Sequence, residues 1–312
     1  MNNSWLDRDL GLAGRVVLND GSVKNVRVDQ AIARIPQLAI HLDREVNDRG
    51  LVLDRQVHLA PIWGIGQYHP GEFAEFLADQ ISSSVNDIFF WDIALFDLTP
   101  ASLIGHDQSL LASGRLDNQV SCWAATEGLI AASTSEQSVD TASVIALFDH
   151  EEVGSESTHG ASGPRLAWVL EALHVGTRTE FHEVLSRSHC ISADNAHAVH
   201  PNYPDRHEPA HRPGPNLGPV LKVNANQRYA TSAESAAVFL QTCERAGVPH
   251  QVFVSKNSMP CGSTIGPIAS TQLGIPTVDV GVAQLSMHSA RELCGANDPA
   301  LLARVIARYF AE

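Results

Sequence analysis

Cysteine is scarce and nowhere spaced for metal. The five residues (Cys122, Cys190, Cys243, Cys261 and Cys294) are odd in number and never form Cys-x-x-Cys. This excludes a cysteine zinc site and a disulfide framework, and it reads as the reduced thiols of a cytoplasmic protein. No apolar run approaches the ~18 residues of a membrane-spanning helix. The first residues, Met1 to Gly11, have neither a basic start nor an apolar centre, so they do not read as a signal peptide. Positive charge is also short: 21 Lys and Arg stand against 35 Asp and Glu, a net charge of −14. Nucleic acid and anionic membranes are therefore poor partners, because phosphate binding needs a basic face. An acidic substrate would need a local cationic pocket. Internal repeats and low-complexity tracts are absent.

The 312 residues suffice for one large domain or two smaller ones. Residues 1–102 read as a β-rich module. Apolar and polar residues alternate on both sides of Asn19-Asp20-Gly21, a strong hairpin signal. Residues 35–42 and 51–65 add extended stretches, and residues 70–82 have helical spacing. From 103 to 312 the pattern is α/β. Short apolar runs at 143–149, 189–194, 218–224, 251–255 and 275–282 predict strands, and helical spacing predicts helices over 118–132, 163–174, 232–247 and 298–310. The alternation predicts a mainly parallel sheet flanked by helices.

Four segments place acidic residues or histidine at the ends of strand-like runs. They are Arg115-Leu116-Asp117-Asn118, Phe148-Asp149-His150-Glu151-Glu152, Ser192-Ala193-Asp194-Asn195-Ala196-His197 and Leu285-Ser286-Met287-His288. Open α/β sheets bind ligands at the carboxyl ends of strands. Carboxylates and a histidine gathered there suit zinc, manganese or cobalt. Glu151 and Glu152 are adjacent, and two neighbouring carboxylates need a cation or a proton between them. With one as ligand, the other can take the proton of a metal-activated water. Taken singly, an Asp before a helix, such as Asp117, also serves as an N-cap.

Several segments (RLDN, FDHEEVGSES, ISADNAHAVHPNY, GPVLKVNANQRYA, PCGSTIGP and LSMHS) occur in the order found in the aspartyl aminopeptidases, and WLDRDLGLAGRV and RIPQLAIHL resemble that family too. The resemblance covers nearly the whole chain. It implies a zinc-exopeptidase-like catalytic domain whose C-terminal part spans 103–312, and a dimerisation role for 1–102. It also implies a pair of divalent metals, zinc in most members: Asp117 bridging them, Glu152 and His288 on one, Asp194 on the other, and Glu151 as general base. The substrate would be a peptide with an N-terminal Asp or Glu, whose side chain would meet Lys222 and Tyr229, with Arg228 less well placed. His41 would reach the active site of a neighbouring subunit; read alone, it is a strand residue. His197 and His200 either orient a metal ligand or are ordinary hydrogen-bonded residues. His150 would lie beside the metals without ligating them. Gly262 and Gly266 permit tight turns, and nothing in the spacing makes Cys261 a nucleophile. Assembly would be homo-oligomeric, as dimers building a dodecamer.

The chain departs from the family in one respect. It starts at the tryptophan-containing segment, whereas the family's metal-binding His-x-Asp motif, whose histidine ligates the metal on the Asp194 side, lies ahead of that segment. The expectation is thus either an aminopeptidase for acidic N-termini, or a weak or inactive relative acting as an assembly or metal-binding subunit.

Overall fold

In the computed structural model, which describes residues 1–134 and 141–312, the Asp-Gly segment is the expected hairpin. Strand β1 (Leu10–Leu18) pairs antiparallel with β2 (Val23–Ala33), and Asp20 closes the turn by accepting the Ser22 N–H at 2.8 Å. A third strand, β3 (Ile88–Asp97), pairs with the other edge of β1, so the sheet order is β2-β1-β3. Strand β3 was not anticipated. Residues 35–42 and 51–65 are not strands; a bridge between Arg34 and Ile62 and a series of turns carry the chain instead. Asp54 folds its stretch back by accepting the N–H groups of Gln56 and Val57. A single helical turn, α1 (Val46–Arg49), and a helix, α2 (Glu72–Gln80), lie between β2 and β3. Leu77, Phe73 and Phe76 of α2 pack on Leu12, Val16 and Val26 of the sheet.

The chain divides into two units, Met1–Ala101 with His288–Arg291, and Ser102–Met287 with Glu292–Glu312. The second begins with β4 (Ser102–Ile104), β5 (Leu110–Ser113) and α3 (Leu116–Ser133). Then follow α4 (Arg165–Leu173), α5 (Arg178–Arg187), β6 (Cys190–Ala193), β7 (Ala196–His197), β8 (Val220–Val223) and α6 (Ala233–Ala246). It ends with β9 (Gln251–Val254), α7 (Ile265–Leu273), β10 (Thr277–Gly281), β11 (Ala283–Leu285), β12 (Glu292–Gly295) and α8 (Asp298–Phe310). One sheet has the order β6-β10-β8-β9, parallel except where β10 meets β8; the other runs β4-β5-β12-β11-β7 and is parallel only between β11 and β7. The fold is therefore mixed α/β, with helices packed on the sheets. Helix α6 starts at Ser232, whose hydroxyl accepts the Ser235 N–H, and stops at Gly247 in the left-handed region. Among the described residues no helix is long and apolar enough to cross a membrane.

One expected strand is missing. Residues 143–149 form no strand, and Val144 and Leu147 are exposed. A run that apolar becomes a strand only between neighbours that take up its backbone groups, and it pairs with none of the strands described here.

The core of this unit joins β10 (Val278, Val280), Phe239 of α6, Val120 and Ala124 of α3, and Leu302, Val305 and Ile306 of α8. The two helices α3 and α8 meet at Gly128. A Cβ there would stand 2.7 Å from Ile306 Cγ2 and 3.0 Å from the Ala307 backbone nitrogen. Alanine gains ~1 kcal/mol of helix propensity over glycine, but overpacking costs ~1–3 kcal/mol. Because a backbone atom lies in the way, the second effect should win. Gly128→Ala should lower the urea midpoint, and a raised midpoint would show that the helices part freely.

Candidate metal centre

Helix α3 begins irregularly. Arg115 is left-handed (φ 58°), Asp117 and Asn118 have non-helical dihedrals, and their shared peptide is cis. Asp117 is therefore turned out of the helix rather than capping it. Its N–H donates to Glu292 Oε2 on β12 at 2.8 Å. Asp194 follows the last residue of β6, and its N–H donates to Val280 O of β10 at 2.9 Å. The approach to β10 requires glycine at 281, since a Cβ there would lie 1.9 Å from the Asp194 carbonyl oxygen. Glu151 and Glu152 occupy a short 3-10 turn (Glu151–Val153) between left-handed His150 (φ 65°) and Gly154. That turn is tied down by Ser155 N–H to His150 O at 2.8 Å and by His150 Nδ1 with Ser157 Oγ at 2.7 Å.

These carboxylates crowd one another. Burial pushes Asp117 far above the usual carboxylate range, and the charges of Asp194 and Glu152 push in the same direction; a hydrogen bond to the Asp194 side chain adds to them. Glu151 is raised to about 7 by burial and by Asp194 and Glu152, against the pull of Lys222. Asp117 and Glu152 each offer a ligand atom within 4.8 Å of the other, and His288 lies on the turn between β11 and β12. A set of crowded carboxylates whose mutual repulsion raises their proton affinity fits a divalent metal such as zinc.

Lys222 is 1% exposed. Its Nζ donates to Asp194 O at 2.8 Å, Asp194 Oδ2 at 3.0 Å and Asn195 O at 3.2 Å, and it lies 5.0 Å from the Tyr229 ring centre. All three donors are thus engaged inside the fold. Tyr229 is buried, with its hydroxyl on Cys261, and burial raises its pKa. His41 sits exposed on a turn of the first unit, not on a strand. His197 stacks edge-on against Phe253, and His200 Nδ1 accepts the Asn202 N–H at 3.2 Å.

Sequence reading passed over Glu292, Asn118, Asn195 and Asp279. Buried Asp279 accepts from Ser192 Oγ, Thr264 Oγ1 and the Ala230 N–H, each at 2.6 Å, so it joins β6, the loop carrying Tyr229 and the start of α7. Glu292 is four residues beyond His288, and both asparagines directly follow a site aspartate. Those adjacencies were the available signals.

A sequence profile of the aminopeptidase I zinc metalloproteases (M18) matches residues 1–310. The probable M18 family aminopeptidase 2 of Streptomyces coelicolor is 50% identical over 312 residues, covering 98% of this chain and 72% of its own length. The protein of the same name from Mycobacterium tuberculosis is 48% identical over 319 residues, covering 99% and 73%. Among solved structures, Ape4 in its complex with Nbr1 superposes with a TM-score of 0.92 at 36% identity. That match covers 99% of this chain but 64% of the Ape4 chain, so this chain spans less than two thirds of it. The S. cerevisiae mApe1 dodecamer gives a TM-score of 0.81 at 27% identity, covering 99% and 70%.

The crowding has a thermodynamic consequence without metal. A carboxyl whose folded pKa is raised holds its proton in the native state after the unfolded chain has released it. Stability therefore falls as pH rises above the ordinary carboxylate range near 4, and for Glu151 it goes on falling to about 7. The metal-free chain should melt higher at pH 5.5 than at pH 8, and zinc should narrow the gap. A metal-free melting temperature that rises between those values would contradict the crowding.

Proposed function

The chain belongs to the M18 family of aminopeptidase I zinc metalloproteases, and from that membership we propose that it removes acidic N-terminal residues from peptides at the carboxylate centre on α3, β6 and the Glu151 turn. The observation that carries the reading is the packing of Asp117, Asp194, Glu151 and Glu152 into one partly buried cluster, which only protons or cations can neutralise. Asp117, Glu152, Asp194 and His288 would hold two divalent ions, zinc foremost, with Asp117 shared between them. When bound, the ions would supply positive charge that makes water acidic and polarises the scissile carbonyl.

Glu151 is the general base. Its neighbours raise its proton affinity toward neutrality, the range in which a carboxylate both accepts a proton from water and returns it to the departing amine. The turn between His150 and Gly154 holds that carboxylate next to Glu152. Lys222 places a positive charge next to Asp194, and Tyr229 places a phenol near it. Since Nζ and the Tyr229 hydroxyl are both already engaged within the fold, the preference for an acidic side chain comes from the lysine's charge. Residues 1–101 would serve assembly: Phe89 and Phe90 of β3 and Ile65 and Tyr68 are exposed, and homo-oligomers built through such a face would bring His41 toward a neighbouring copy.

The exposed, strandless run at 143–149 favours a second reading, in which the chain binds metal and assembles but turns over slowly. One set of measurements separates the two. Aspartyl, glutamyl, leucyl and lysyl anilides are offered to the zinc- or manganese-loaded chain and to Glu151→Gln. Under the first reading the acidic pair is preferred at least tenfold, and the variant loses at least a thousandfold in kcat, in line with the ~10²–10⁴ of general base catalysis. Wild type and variant with equal residual rates would leave only the assembly role, and a leucyl preference would refute the Lys222 assignment. Light scattering that gives a clean monomer would remove the case for His41.

A further inference from the structure

Asp117, which the family resemblance makes the bridge between two metals, and Asp194, which it places on one of them, each precede an asparagine, Asp117-Asn118 and Asp194-Asn195. Each asparagine reaches across to the other dipeptide. Asn118 Nδ2 donates to the carbonyl of Ala193 at 2.7 Å, and Asn195 Nδ2 donates to the carbonyl of Leu116 at 2.9 Å. The residue before each aspartate thus accepts from the residue after the other. Both acceptors are carbonyl oxygens, so the amide nitrogens have to face them. The two bonds close a ring around the paired aspartates, and the start of α3 cannot slide along the end of β6 without breaking both.

The ring is held from outside. Asn195 is buried and its Nδ2 also donates to Gln284 Oε1 at 2.7 Å, itself buried on β11. Glu292 holds the Asp117 N–H, and Lys222 holds the carbonyls of Asp194 and Asn195. Helix and strand are therefore clamped together at the point where two acidic side chains would push them apart.

We propose that Asn118 and Asn195 are positioning residues, a reciprocal pair of amide straps that sets the separation of Asp117 and Asp194 to that required by a pair of divalent ions. The inference rests on the metal reading given above. Partners that orient metal ligands usually change metal affinity by ~10–100-fold when removed. Because either cut opens the same ring, the two losses should not add.

The test uses the full chain with zinc and cobalt as probes. Zinc affinity is measured by competition with a chelating dye, and the geometry of bound cobalt by its visible absorption spectrum, for wild type, Asn118→Ala, Asn195→Ala and the double variant. Circular dichroism and melting check the fold. Each single variant should bind zinc at least tenfold more weakly and shift the cobalt spectrum while still folded, and the double variant should lose less than the product of the two. A purely structural role would lower melting but leave the cobalt spectrum unchanged, which overturns the proposal. Should the buried Asn195 variant fail to fold, half-buried Asn118→Ala and the milder Asn118→Ser carry the same comparison. Wild type that binds neither metal would refute the metal reading together with the straps, whereas wild-type binding matched by the variants would refute the straps alone.

Discussion

Electrostatic repulsion among carboxylates is the constraint around which the second unit is arranged. Asp117, Glu151, Glu152 and Asp194 lie in one cluster, with Glu292 behind Asp117. A pair of unit charges about 4 Å apart at an effective dielectric near 20 repels by ~4 kcal/mol, which is a large share of the stability of a typical domain. The fold answers with three devices. Lys222 is buried against Asp194, the Asp117 N–H is donated to Glu292, and asparagine amides bridge the two elements that carry the aspartates. Each device is incomplete, and the deficit appears as the raised proton affinity of Asp117 and Glu151. The same deficit is what a divalent cation would fill.

The supporting structure explains why the cluster survives without collapsing. Strand β10 is buried along its length and contributes Val278 and Val280 to the core while its backbone receives Asp194. Helix α8 covers α3 from behind, so the irregular first turn of α3 is braced by a regular remainder. Precision at the site thus comes from the least polar part of the molecule, as rigid elements hold side chains better than loops do.

Much of this was legible in the sequence, because periodicity and capping are local properties. The Asp-Gly hairpin, α3, α4, α6, α8 and strands β6, β8, β9 and β10 follow from spacing and from stop signals such as Gly247. The site segments stood out because acidic residues followed strand-like runs. What was not legible depends on partners. Residues 143–149 have strand composition and no strand neighbour, while β3 reads as a mixed run until β1 pairs with it. Lys222 shows the same limit at the scale of one side chain. Its charge was visible, but only the fold shows that its three protons are committed to Asp194 and Asn195. Asn118 and Asn195 are polar and chemically inert, and their role exists only in the reciprocal geometry.

Gly281 has no side chain and no chemistry, yet the Asp194 carbonyl occupies the space where its Cβ would be. Position 281 and position 194 therefore share one volume. In a saturation screen, substitutions at the glycine would score like the loss of Asp194 itself, although the glycine brings no functional group. The tolerance map of this protein would then show a second class of intolerant sites, defined by the room they leave rather than by the groups they bring.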